Sequence, residues 1–415
     1  MSSPRASHYD VVIVGAGMVG ASLALALTRN QDIPLRLLLV EASALHAHIP
    51  AQQPGFDARS TVLSAVTVAY FTELGLWNAM ADSAQAIKQI HVSDQGHFGT
   101  VRLDSDEEQV AALGHVIENA ALGRALNDAL FAAQGLELCA PVAVAALAPD
   151  IAGMRLTLES NEGKRDITAA LVVLAEGGRS GLSAQLGIAH RREGYGQSAV
   201  IANVGFASAH RNVAYERFTP KGPLALLPLA DREGSHRAAL VWTHPESEAQ
   251  AMLELSDAEF LARLQRDFGG RVGSFMRVGK RVLYPLALQV AEEQVRPGLV
   301  LLGNVAHTLH PVAGQGFNLA LRDTMMLAYN IRESLRQQQD PGAFARLQQY
   351  RQSVQQDQYS TIAFSDYMTR LFSSNNRVLG LVRQFGMASI DLLPPLKHQF
   401  SRQAMGLAQP HVTLP

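Results

Sequence analysis

An α/β fold is predicted for this chain by three observations. A strand-like run near the start passes at once into a glycine turn and a helical stretch. Two later buried runs also end in glycine turns. Between those two lies a tract of alternating segments that reads as an inserted antiparallel sheet, and glutamine-rich helical sequence closes the chain.

Tyr9 to Val14 is the β-branched apolar run found at the centre of parallel sheets. Gly15-Ala16-Gly17-Met18-Val19-Gly20 follows directly, then an alanine- and leucine-rich helix to about Arg29. Leu35 to Val40 is the next strand, with Glu41 and Ala42 at its end. Strand, glycine turn, helix, strand and an acidic residue about 20 positions beyond the last glycine make up the Rossmann-like dinucleotide fingerprint in its required context. Gly15 makes the turn, Gly17 lets a pyrophosphate approach, and Gly20 lets the helix pack on the strand. Ala16 and Met18 lie in the same turn and join the candidate cofactor set, as does Ala42 beside Glu41. Glu41 is expected to take the ribose hydroxyls of an adenosine half.

After Pro50 the sequence is polar and turn-rich to Ser60, then reads as helical to Trp77. Arg59 opens that predicted helix, where a fork-shaped guanidinium can reach a pyrophosphate; a surface role fits it equally well. Ile87 to Gly99 and Val110 to Ile117 read as strands, and Ala120 to Gln134 as a helix carrying Arg124, a further cofactor candidate. Short strands from Leu136 to Ile167 suggest a β-meander that returns in Ala170 to Ala175. That run ends in Glu176-Gly177-Gly178-Arg179-Ser180, a second glycine turn at a strand's carboxyl end, where ligands bind in such folds.

From Tyr195 to Pro285 alternating segments recur around one polar helical stretch, Ser256 to Phe268. Pro223 to Leu229 is apolar enough to line a pocket, and ordinary sheet core accounts for it as well. Phe218, Pro223, Leu224, Leu226, Pro228 and His310 are the pocket candidates.

The strand Leu299 to Leu302 breaks at Gly303-Asn304, passes Pro311, and becomes helical from about Phe317. Gly314 and Gly316 bracket Gln315 and let the backbone approach a planar ring with no side chain between. The helix that follows, with Phe317 and Asn318 in its first turn, points free N–H groups and its positive dipole end at that ring. A ring that becomes anionic suits this nest, and a reduced flavin is one.

The expected organisation is a discontinuous cofactor domain (1–76, 116–186 and 288–340), a substrate domain (77–115 and 187–287) and a C-terminal helical region (341–415). In that last region Pro341 starts a helix to about Arg370, and apolar residues at helical spacing follow, interrupted by Pro394-Pro395. The chain is 415 residues long, 47% hydrophobic and 17% charged with a net charge of −2, so no nucleic-acid partner is indicated. A single cysteine, Cys139, excludes an intrachain disulfide, a zinc cluster or a redox dithiol, and no metal is expected. Met1 to Tyr9 lacks the order of a signal peptide and no run of 18 apolar residues occurs, so a cytoplasmic location is expected.

Together the three glycine motifs resemble those of the class A flavoprotein monooxygenases, the single-component aromatic hydroxylases related to p-hydroxybenzoate hydroxylase. Glu176-Gly177 stands where that family has Asp-Gly, and Gly303-Asn304 where it has Gly-Asp. Ala306-His307, Pro311 and Gly314-Gln315-Gly316-Phe317-Asn318 stand unchanged. Asn304 keeps a hydrogen bond to a ribose or ribityl hydroxyl without the charge, and Glu176 keeps the charge on a longer stem. Gly55 to Arg59, Val92 to His97, Val200 to Val204, Glu216 to Thr219 with Gly222 to Ala225, and Tyr284 to Leu288 resemble the branch that hydroxylates 2-polyprenyl-6-methoxyphenol in bacterial ubiquinone biosynthesis.

The resemblance implies a p-hydroxybenzoate-hydroxylase-type FAD domain, with NAD(P)H as a visiting electron donor and O₂ as co-substrate. The substrate would be a polyprenyl phenol, hydroxylated to a 1,4-benzoquinol. His307 reads as structural, facing the cofactor turn, and no catalytic base is identified. An enzyme without a membrane span must meet such a substrate by peripheral membrane contact or through other enzymes of the pathway, and the apolar tail also suits a homo-oligomer. Two alternatives stay open, hydroxylation of another ring position or phenol and a non-catalytic FAD-holding scaffold. A halogenase would need a lysine- and tryptophan-rich signature that Trp77 and Trp242 do not form, and a nicotinamide dehydrogenase would leave Gly303 to Asn318 unexplained.

Overall fold

The computed structural model describes residues 7–29, 32–48, 59–96, 100–232, 234–311, 314–373 and 393–406. The motif residues Gly55 to Ala58 and His97, and most of the tail between 374 and 415, lie outside them.

Among the described residues, two large sheets organise the chain. In the first, of eight strands, the parallel path runs Leu299–Leu301, Gly163–Leu174, His8–Val14, Leu37–Val40, Leu136–Cys139. Val11 pairs with Leu171 on one side and Leu37 on the other, so the opening strand sits at the centre with both faces buried. One face is covered by helices, among them Met18–Thr28, Asn119–Ala132 and Gln315–Arg336. The meander of Ala143–Asp150 and Gly153–Ser160 carries the core on the other face. Strand ends at Val14, Val40, Leu174 and Leu301 lie along one edge, which brings all three glycine turns to the carboxyl side of neighbouring strands.

The second sheet has nine strands and is antiparallel except where Val213–Thr219 runs parallel to Gln89–Asp94. Its central strands are His190–Phe206, Ser235–Pro245, Gly222–Arg232 and Val213–Thr219. Helices Glu246–Glu254 and Asp257–Phe268 pack on one face through Met252, Phe260, Leu264 and Phe268. Ser256 caps the second of them in a reciprocal capping box with Glu259. The opposite face turns towards a small three-stranded sheet of Ser60–Ser64, Gly114–Glu118 and Ala84–Ile87.

Three predicted element boundaries change. Arg59 does not open a helix: Ser60–Ser64 is a strand paired with Gly114–Glu118, and the helix begins at Ala65 with Ser64 as its cap. The β-branched Thr61-Val62 pair meets a distant partner strand that local periodicity could not register. The nest helix begins at Gln315 rather than Phe317, with Gly314 as N-cap in the left-handed region at φ 59°. Pro394 opens the helix Pro394–Ala404 instead of interrupting one, since a first-turn proline forfeits no helical hydrogen bond. The helix before it among the described residues runs Phe344–Ser373. Among the described residues, no helix is long and apolar enough to cross a membrane.

Candidate active site

At the first turn Gly15 has φ 100°, and a Cβ on it would stand 2.7 Å from Glu176 Cα, where two motifs meet. A Cβ on Gly20 would be 1.9 Å from Gly15 O, which fixes how closely helix and strand pack. Gly17 caps the helix without any side-chain bond, and a Cβ there would meet nothing within 4 Å. Glu41, 8% exposed, accepts the Ala16 N–H at 2.7 Å and the Ser43 N–H at 2.8 Å. It therefore braces the glycine turn as well as bordering it; Met18 begins the helix and Ala42 is exposed beside Glu41.

Across the edge, Glu176 Oε2 accepts the N–H groups of Arg179 at 2.6 Å and Ser180 at 3.2 Å. Its Oε1 is buried with no hydrogen-bond partner among the described residues. Gly177 has φ 78° and open space where a Cβ would be. Gly303, φ 71°, abuts Val19, and Asn304 beside it is exposed. Arg59 lies over the Tyr284 ring, 4.6 Å from its centroid, and Arg124 is exposed on its helix.

In the nest, Gly314 N–H bonds Pro311 O at 3.0 Å and a Cβ on Gly314 would be 2.9 Å from Val62. Gly316 faces open space, Gln315 is buried, and Phe317 stacks on Phe71 at 6.3 Å. Asn318 is 1% exposed, and its amide is spent within the protein. Oδ1 accepts Ser64 N–H (2.9 Å) and Thr67 Oγ1–H (2.7 Å), while Nδ2 donates to Val62 O (2.9 Å) and Gly314 O (2.7 Å). The Asn318 side chain clamps the nest to the strand Ser60–Ser64 and the helix that follows it, and is not turned towards a ligand.

FAD fits this edge. The helices beginning at Met18 and Gln315 have no side-chain cap and no acidic residue in the first turn, so their N–H groups and dipoles suit anionic groups. Gly17, Gly177 and Gly316 leave room for a ligand, and the orphaned Glu176 oxygen suits a hydroxyl donor.

Beside the nest a cavity of about 640 Å³, its open mouth included, is lined by Val62, His310, Pro311 and Gly314 on one side. Strand residues Glu216, Pro223, Ala225, Leu227, Val241 and Thr243 line the other. Pro223 and His310 thus reach the cavity. Leu224 and Leu226 do not: alternation turns them to the sheet's other face, against Phe260 and Leu264. Phe218 packs with Ile87 and Val92, and Pro228 is buried outside the lining.

His310 is 1% exposed, packed edge-on to Tyr195 at 5.2 Å; burial pushes its pKa down to about 4, so the ring is neutral at physiological pH. Tyr195 donates to Asp366 Oδ1 at 3.0 Å, tying this wall to the helix Phe344–Ser373. His307 Nε2 lies 2.8 Å from Asp323 Oδ2, which also accepts from Gln358 Nε2 at 2.8 Å; all are buried, and the trio joins the nest strand to two helices. No three His, Cys, Asp or Glu residues among those described are grouped to hold a metal.

Glu216 was not identified as a site residue by sequence reasoning. A signal existed: Ala214, Glu216 and Phe218 share one strand face, and a carboxylate between two buried apolar neighbours breaks the pattern.

Residues 8–360 match the family described as FAD binding domain, and the chain belongs to this family of FAD-dependent monooxygenases. Ubiquinone hydroxylase UbiL of Rhodospirillum rubrum is 35% identical over 96% of this chain and 89% of its own length. The 3-demethoxyubiquinol 3-hydroxylase of Escherichia coli is 29% identical over 96% of this chain and 98% of its own. In fold, p-nitrophenol 4-monooxygenase PnpA of Pseudomonas putida superposes with a TM-score of 0.74 at 16% identity, covering 96% of this chain and 99% of that one.

Proposed function

We propose that this protein is an aromatic hydroxylase of ubiquinone biosynthesis that inserts one oxygen atom from O₂ into a polyprenylated phenol, with NAD(P)H as reductant. One observation carries the reading: Pro311 and Gly314 of the flavin nest and Pro223, Ala225 and Leu227 of the inserted sheet face the same apolar cavity. The relatives named as ubiquinone hydroxylases give the ring its class.

Bound FAD, once reduced, supplies activated oxygen. The chain does the rest. The helix starting at Met18 would hold the pyrophosphate, Glu41 and Glu176 would take ribose and ribityl hydroxyls, and the Gln315 helix N-terminus would stabilise negative charge on the ring. The apolar walls exclude water from the oxygen-transfer space. The preferred step converts 2-polyprenyl-6-methoxyphenol to its 1,4-benzoquinol. A second reading, hydroxylation at another ring position, is favoured by the likeness to a 3-hydroxylase.

Purified holoenzyme given NADPH, O₂ and a short-chain 2-prenyl-6-methoxyphenol should yield a product heavier by one oxygen, and NMR would locate the new hydroxyl. NADPH oxidation that the phenol does not stimulate, with no oxygenated product, would sink the proposal. The substrate gains roughly 0.8 kcal/mol per buried CH₂ in lipid, so the bilayer is its store and peripheral docking its expected route. Liposome flotation checks that route, and protein remaining free of lipid would count against it.

A further inference from the structure

Glu216 sits in the strand Val213–Thr219, opposite Ala225 on one neighbouring strand and Val92 on the other. It lines the cavity and makes no hydrogen bond or ion pair with any described residue. Thr243, in the same lining, is 1% exposed and its Oγ1 has no hydrogen-bond partner among the described residues. Glu216 is half-buried with its carboxylate bordering the cavity, and the Thr243 hydroxyl is buried without a partner among the described residues, which is expensive to keep unless a ligand answers it.

We propose that Glu216 is the proton acceptor of the reaction, its carboxylate receiving first the hydrogen bond and then the proton of the phenolic hydroxyl of a ring held in this cavity, with Thr243 Oγ1 hydrogen-bonded to a second ring oxygen. The assignment rests on the function proposed above. The phenol O–H bond breaks, the proton passes to a Glu216 Oε, and the bonding pair stays on the phenol oxygen. From there it raises electron density at the ortho and para carbons, the positions where an electrophilic oxygen is received. Loss of the proton to water when the product leaves resets the carboxylate.

Burial alone pushes the Glu216 carboxyl up to about 7, with no charged neighbour contributing, which poises it as a base near neutrality. The surrounding groups agree. His310 across the cavity is neutral; Tyr215 also borders the cavity but turns its ring onto Phe268 on the other sheet face, where Arg217 donates to Asp267 O. On the strand Gln89–Asp94, Val92 stands opposite and Asp94 lies two positions on, buried. Met368, Phe400 and Met405 bring apolar side chains to the adjoining cluster.

The test uses the FAD-loaded, oxidised full chain without NADPH. Its probes are a short-chain 2-prenyl-6-methoxyphenol and the methyl ether of that phenol, and binding is read from the flavin absorption change. If only the ionised carboxylate accepts the phenol hydrogen bond, affinity should rise about tenfold from pH 6 to pH 8 for the phenol and stay flat for the ether. Glu216→Gln should flatten the phenol profile, and Glu216→Asp should preserve its slope. Under turnover, Glu216→Gln should lower kcat about 10²-fold and erase the acid limb of its pH profile, with KM moving much less. A Glu216→Gln enzyme that keeps the tenfold slope, or turns over at the wild-type rate with the acid limb intact, overturns the assignment. Wild type that binds the phenol but leaves it unhydroxylated refutes the function proposed above, while the binding slope still decides for or against Glu216.

Discussion

Replacing Asn318 by aspartate isolates one amide group that the nest depends on. In the native residue Nδ2 donates to Val62 O and Gly314 O at 2.9 and 2.7 Å, and Oδ1 accepts from Ser64 and Thr67. Aspartate keeps the accepting half but turns a second oxygen towards two carbonyl oxygens. Two hydrogen bonds are lost at about 1 kcal/mol each, and two acceptors and a charge are left opposed out of water, so the total is about 3–5 kcal/mol at neutral pH. Protonation restores one donor, so the deficit should shrink as pH falls. Urea midpoints with and without FAD, together with the flavin kept through gel filtration at pH 8 and pH 5, measure this. Asn318→Asp should shed flavin at pH 8 and recover part of it at pH 5, whereas Asn318→Ala, which loses all four bonds, should show a comparable loss that does not change with pH. Wild-type midpoint and flavin content for the aspartate variant at pH 8 would refute the clamp.

Gly314→Val should weaken flavin retention for a reason different from simple blocking of the ring: its Cβ would stand 2.9 Å from Val62, and its φ of 59° strains any β-branched residue. Adding Val62→Ala should return part of the loss, and strict additivity of the two in a double-mutant cycle would argue against the contact. Gly20→Ala, with a Cβ 1.9 Å from Gly15 O, should prevent recovery of folded yellow protein, and a stable FAD-bound variant would contradict the packing. Glu216, with a folded-state pKa near 7 against 4.5 unfolded, binds a proton more tightly when folded. Its stabilising share is full below pH 4.5 and is lost as pH rises through 7, leaving an ionised group that costs about 3 kcal/mol at pH 8. Glu216→Gln should therefore raise the unfolding midpoint at pH 8 and change it little at pH 5. The opposite ordering would remove the basis for a raised pKa.

The glycine turns were legible because each rule is local. Gly15 and Gly20 show in the structure the tight turn and close packing that the sequence spacing implied, whereas Gly314 approaches Val62 and only Gly316 opens on free space. Side-chain direction was less legible. Asn318 was read as a ligand contact because its neighbours form the nest, but its partners Ser64 and Thr67 lie far away in sequence. Leu224 and Leu226 were read with Pro223 as one apolar segment, and only the cross-strand register decides which parity faces the cavity. Ser60–Ser64 was missed for a related reason, since its pairing partner begins at Gly114.

The parallel sheet also carries a timetable. Its centre, His8–Val14 between Gly163–Leu174 and Leu37–Val40, is complete once the ribosome has passed Leu174, yet the edge strand Leu299–Leu301 and the helix Gln315–Arg336 arrive only after the whole inserted sheet has been made. At ordinary elongation rates that interval is on the order of ten seconds. During it the apolar residues Val172 to Leu174 present an unpaired edge, and the pocket for the flavin ring does not yet exist. Cofactor capture therefore belongs to the end of synthesis, and the nascent chain is most open to misassembly while its second sheet is being translated.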